Sequence, residues 1–117
     1  MAQVLLVDDD LAVQQTLQAM LEAGGHAVIA AGSGRQLLDD LGAAVYELVV
    51  TDLHMPGFDG WAVARWVAEH RPGTPVIAMG GDVGGQDPEA LRLFAASLSK
   101  PFNRKALLAT VARVLGG

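Results

Sequence analysis

Five short apolar runs alternate with five segments of helical period along the chain. The runs are residues 3–7 (QVLLV), 26–30 (HAVIA), 46–51 (YELVVT), 75–79 (PVIAM) and 96–99 (ASLS). Between and after them, residues 11–23, 34–42, 58–70, 87–94 and 103–115 read as helices. In the first helix Val13, Leu17, Met20, Leu21 and Gly24 share one face, and in the last Leu107, Leu108, Val111, Val114 and Leu115 do the same. Gly24-Gly25 and Gly116-Gly117 stand where helices stop.

Nearly unbroken apolar character in VLLV and LVV predicts strands covered on both faces, as parallel strands are beneath crossover helices. The expected architecture is therefore α/β: a (βα)5 doubly wound, flavodoxin-like parallel sheet of five strands in the order 2-1-3-4-5. Such sheets bind ligands at their carboxyl edge where the order reverses, between strands 1 and 3. Charge gathers at that edge. Asp8 and Asp9 follow the first strand, Asp52 closes the third run, and Lys100 follows the fifth. Packing gives no reason to place three carboxylates and an ammonium together, so they point to chemistry.

Composition narrows what that chemistry is. With 117 residues, 51% of them hydrophobic, the chain is expected to form one compact domain over 1–117 with no fused output domain. Cysteine is absent, which excludes disulfides and thiolate metal sites and leaves oxygen or imidazole as metal ligands. No signal segment opens the chain and no apolar run approaches the ~18 residues of a membrane span. A cytoplasmic protein with no membrane contact is expected. Eight basic against thirteen acidic residues, net charge −5, with no Lys/Arg cluster, argue against direct nucleic-acid binding. The acidic loop after strand 1 lacks the Gly, Ser and Thr of a phosphate-binding loop, which disfavours a flavin. Asp8-Asp9-Asp10 also lacks the nucleophile-x-Asp-Gly-Thr pattern of an aspartyl-phosphate phosphohydrolase.

In order along the chain stand VLLVDDD at strand 1, VVTDLHMPGFDG around strand 3, PVIAM at strand 4 and KPF after strand 5. By these motifs and their spacing the chain resembles a response-regulator receiver domain over nearly its whole length. The resemblance implies that Asp52 is the phosphoacceptor, taking a phosphoryl group from the phosphohistidine of a histidine kinase or histidine phosphotransfer protein. It implies that Asp8 and Asp9 hold Mg²⁺, with Asp52 and the backbone carbonyl of His54 completing the protein side, an oxygen set that suits this ion. Lys100 would reach the phosphoryl oxygens as a point charge, and the Lys100-Pro101 bond is expected to be cis. Such a protein is no enzyme beyond catalysing its own phosphorylation and dephosphorylation, and it signals to a downstream protein target through its own surface.

Two positions depart from the receiver pattern. Receivers usually carry Thr or Ser at the end of strand 4, where gap-free counting places Gly80, and an aromatic three residues before the lysine, where Ser97 stands. The chemistry for accepting a phosphoryl group is thus present while the usual coupling from it is absent. The expected substitute is the glycine-rich loop 80–85, with Gly80 or Gly81 donating backbone N–H groups to the phosphoryl group. The rival expectation is a non-switching interaction module that kept the fold.

Further residues have plainer roles. Asp10 or Asp9 is expected to cap the first helix, Asp59 the third, after a Pro56-Gly57 turn, and Asp87 the fourth. Trp61, Ala64 and Val67 fit the buried side of the third helix; Trp66 lies off it, a candidate partner contact. The His54 side chain is read as flanking the site and controlling access of water, not as a metal ligand. His26 and His70 are read as structural.

Overall fold

The computed structural model describes residues 2–31, 35–54, 59–80, 88–99 and 102–116. The elements run β1 (Gln3–Val7), α1 (Leu11–Ala23), β2 (Ala27–Ala31), α2 (Arg35–Ala43), β3 (Leu48–Asp52), α3 (Gly60–His70), β4 (Val76–Met79), α4 (Pro88–Leu93), β5 (Ala96–Leu98) and α5 (Arg104–Leu115). All strand pairs are parallel and their order is β2-β1-β3-β4-β5, as the alternation of runs predicts.

The alternation of side chains along a strand explains why VLLV and LVV are apolar throughout. Leu5, Val7 and Val49 point to one face, where Leu37 and Leu41 of α2 and Val63, Ala64 and Val67 of α3 cover them. Val4, Leu6, Leu48 and Val50 point to the other, beneath Leu17 and Leu21 of α1 and Leu107 and Val111 of α5. Each fully buried Leu or Val stabilises the fold by about 1.5–3 kcal/mol relative to exposure. Two apolar layers therefore hold β1 and β3 rigid up to the residues that follow them.

Local boundaries differ from the sequence reading where a side chain finds a distant partner. Strand 3 begins at Leu48, not at residue 46. Tyr46 is instead buried beside the strand, its hydroxyl donating to the Leu41 carbonyl at 2.7 Å, with the Arg71 guanidinium 4.3 Å from its ring centroid. Arg71 Nη2 also donates to the Gly42 carbonyl at 3.0 Å. Tyr46 and Arg71 thus tie the end of α2 to the end of α3. Trp66, off the buried stripe of the third helix, is half-buried: it stacks on His70 at 4.4 Å and packs against the core. Helix 3 begins at Gly60 and not at 58, because Asp59 takes the N-cap position and accepts from the Ala62 N–H at 2.9 Å. His26 Nδ1 accepts from the Ala2 N–H at 3.2 Å, ahead of a strand that begins one residue later. The Asp87 cap lies outside the described residues.

Burial pushes the Tyr46 phenol above its ordinary value, and the neighbouring Arg71 charge partly offsets this. A folded-state value above the unfolded one means that the contribution is complete below about pH 10 and is lost as pH rises through the folded value. Tyr46→Phe leaves the Leu41 carbonyl without its donor and is expected to cost about 1–2 kcal/mol at neutral pH. It is also expected to flatten the alkaline loss of stability. Urea midpoints of both forms near pH 7 and above about pH 10 measure both effects.

Candidate functional site

Val7 pairs with Thr51 in the register of β1 and β3, so the residues that follow them emerge side by side at the carboxyl edge of the two central strands. There one carboxylate oxygen from each of Asp8, Asp9 and Asp52 lies within 4.8 Å of the others. Asp8 is 1% exposed and Asp52 9%, while Asp9 is open to solvent. Two such charges at this separation repel by about 3 kcal/mol at an effective dielectric near 20. The cluster is all oxygen, partly buried and negative, and this fits a hard divalent cation held by few carboxylates.

The local fold explains each carboxylate. Asp10, not Asp9, is the N-cap of α1, accepting from the Ala12 and Val13 N–H groups at 3.0 and 3.3 Å. Its own N–H donates to Asp8 Oδ1 at 2.9 Å. Capping thus consumes the third aspartate and leaves Asp8 and Asp9 for the cluster. Asp52 Oδ1 accepts the His54 N–H at 3.2 Å, and the buried Thr51 hydroxyl donates to the Asp52 carbonyl at 3.0 Å. The next N–H, that of Leu53, donates to Met79 of β4 at 3.1 Å. The His54 side chain stands exposed beside the cluster and outside it.

Gly60 is a positioning residue that the motif reading passed over. A side-chain carbon there would meet the Asp52 carbonyl oxygen and lie 2.8 Å from Leu53 Cα, so the first turn of α3 rests directly on the backbone of Asp52. Its N–H donates to the Leu53 carbonyl at 3.2 Å. The Asp59-Gly60 pair at the start of a helix was the available signal. Gln14, whose amide reaches the acidic loop from α1, has no counterpart signal in the sequence.

Gly80 departs from the expectation in two ways. It is buried with φ of +77°, a left-handed conformation that side chains disfavour, and its N–H already donates to the Leu98 carbonyl of β5 at 2.9 Å. That N–H has one hydrogen, and in this structure β5 takes it, so the assignment of Gly80 as a phosphoryl donor is corrected. Ser97, paired with Ala78, is exposed. Gly81 and the rest of the 80–85 loop, Lys100, Pro101 and the Met55–Phe58 segment lie outside the described residues. Because the backbone is left-handed at Gly80, Gly80→Thr is expected to destabilise by about 1–2 kcal/mol, a loss that a urea midpoint at neutral pH reads directly.

An acidic cluster at the switch point of a doubly wound parallel sheet defines the class. The chain belongs to the response regulator receiver domain family, whose family model matches residues 4–112, and it is a receiver domain of two-component response regulators. It is 40% identical over 115 residues to the response regulator protein FleR of Pseudomonas aeruginosa, an alignment covering 96% of this chain and 24% of FleR. The chain thus spans about a quarter of that relative's length. The chemotaxis response regulator CheY4 of Vibrio cholerae shares the fold at a TM-score of 0.87 and 28% identity, covering 98% of this chain and 99% of CheY4. The receiver domain of the sensor histidine kinase PA1611 from Pseudomonas aeruginosa matches at 0.83 and 28%, covering 99% and 98%, with a magnesium ion coordinated in its active-site cleft. Among the described residues, no helix is long and apolar enough to cross a membrane.

Proposed function

We propose that this domain accepts a phosphoryl group on Asp52 from the phosphohistidine of a histidine kinase or histidine phosphotransfer protein, in a Mg²⁺-dependent reaction, and passes the signal to a protein target. The observation that carries the reading is the cluster of Asp8, Asp9 and Asp52, with Asp52 at the end of a rigid central strand and 9% exposed. A carboxylate oxygen of Asp52 forms the bond to phosphorus as the phosphorus–nitrogen bond of the donor breaks, its electron pair leaving on the imidazole. An ionised carboxylate has no proton to lose, so no general base is required.

Asp8, Asp9 and Asp52, with the His54 backbone carbonyl, would hold the Mg²⁺. When bound, the ion supplies the positive charge without which three carboxylates repel a phosphoryl group. Lys100, two residues beyond β5, supplies a second positive charge to the phosphoryl oxygens. The backbone of Gly81 is the remaining glycine donor assigned to the phosphoryl group. Gly80 has no hydroxyl and Ser97 no ring, so the signal leaves Asp52 by a route other than a hydroxyl-to-aromatic relay. The proposed setting is the cytoplasm, with protein partners and no nucleic-acid contact by this domain.

The test is incubation with Mg²⁺ and acetyl phosphate followed by intact mass measurement. A labile gain of one phosphoryl group that chelation of Mg²⁺ prevents is expected. No adduct with acetyl phosphate or with a phosphorylated histidine donor sinks the proposal.

A further inference from the structure

We infer that Gln14 is a positioning residue for the cation site, its side-chain amide holding the carboxyl ends of β1 and β2 together and thereby fixing where Asp8 and Asp9 stand. The inference rests on the reading of Asp8, Asp9 and Asp52 as a Mg²⁺ site. Gln14 lies in the first turn of α1, half-buried, and its Nε2 donates to two main-chain carbonyls, that of Asp8 at 3.1 Å and that of Ala31 at 3.0 Å. A side-chain amide has two N–H hydrogens, and both are used. The Ala31 carbonyl also accepts the Asp8 N–H, at 3.3 Å.

Asp8 is therefore held at three points: its N–H by Ala31, its carbonyl by Gln14, and its Oδ1 by the Asp10 N–H. The paired register of β1 and β2 ends at Val7 and Ala31, one residue before Asp8. Gln14 extends the grip past that end, and it does so from a helix anchored by the buried Leu17 and Leu21. Asp9 sits between Asp8 and Asp10, both pinned, so its exposed carboxylate reaches the cluster from a main chain with little freedom. The role requires two donors at this reach. Leucine has none, and glutamate would turn an oxygen toward the carbonyls. The bond from Gln14 is to the main-chain carbonyl of Asp8 and not to its carboxylate, so it acts on the cation site through the main chain.

The experiment compares wild type, Gln14→Leu and Gln18→Leu by calorimetric titration with Mg²⁺ below the melting temperature of each, with urea unfolding alongside. Gln18 is the control, one turn along the same helix, its amide bonded to Glu22 at the surface. For Gln14→Leu the Mg²⁺ Kd is expected to rise about tenfold, the low end of the cost of losing a group that orients metal ligands. Gln18→Leu is expected to leave it unchanged. A folded Gln14→Leu whose Kd rises by less than about threefold overturns the inference, because a merely structural strap lowers stability without changing affinity in the folded state. If Gln14→Leu does not fold, Gln14→Asn reads the same outcome, since it keeps the amide but shortens its reach by one methylene. Should wild type bind no Mg²⁺, the proposed function fails and this inference with it; should wild type bind while the folded Gln14 variant binds equally well, only the inference falls.

Discussion

Asp52→Asn is expected to abolish phosphoryl uptake from acetyl phosphate while leaving the fold intact. The amide that replaces the carboxylate is neutral and a poor nucleophile, and no other described carboxylate combines its burial with a place at the end of β3. The substitution also removes one of three mutually repelling charges. Mg²⁺ should therefore stabilise wild type against heat more than it stabilises the variant, because a ligand stabilises only as far as it binds the folded state. Intact mass with and without Mg²⁺, and melting curves over a Mg²⁺ titration, measure both effects. An adduct persisting in the variant would place the acceptor elsewhere, with Asp8 and Asp9 the next carboxylates to replace.

Gly60→Ala is expected to do comparable damage from outside the acidic cluster. In an ordinary helix position alanine is favoured over glycine by about 1 kcal/mol. Here the added carbon meets the Asp52 carbonyl oxygen and lies 2.8 Å from Leu53 Cα and 3.1 Å from the Asp52 carbonyl carbon. All three are backbone atoms at the end of a fully buried strand, so they yield only if β3 or the first turn of α3 shifts. Overpacking of this kind costs about 1–3 kcal/mol and sometimes more, which outweighs the helical gain. A net loss of about 2 kcal/mol and weaker Mg²⁺ binding are expected, because the strand that moves carries Asp52. Gly42→Ala is the control: the nearest atom to its added carbon is Trp66 Cζ2 at 4.0 Å, so neutrality or a slight gain is expected. Equal urea midpoints for Gly60→Ala and wild type would show that the close approach carries no cost.

Residues whose roles depend on near neighbours were readable in advance. Asp59 caps α3 through Ala62, three residues on, and the apolar strands announce themselves by period and length. Roles that depend on distant chain were not. Tyr46 has the residue type of a strand, yet Arg71 and Leu41 draw it into a clamp. Trp66 falls off the helical stripe but stacks on His70 and packs against the core. Of the three consecutive aspartates, only the conformation at Asp10, extended with its carboxylate over Ala12 and Val13, shows which one caps.

By itself the sequence determined the class of fold, the gathering of Asp8, Asp9 and Asp52 at one sheet edge, and the absence of a hydroxyl at position 80. These follow from hydrophobic period and from charge placed at the ends of apolar runs, both local properties of a chain. Tertiary structure alone decided that Gly80 is left-handed with its N–H bound to Leu98, that Gly60 bears on the Asp52 backbone, and that Gln14 clamps Asp8 to Ala31. Each of these is a close approach of main chain to groups remote in sequence. Hydrogen-bond direction and van der Waals contact set it within tenths of an ångström, and neither is written in the residues on one side of the contact.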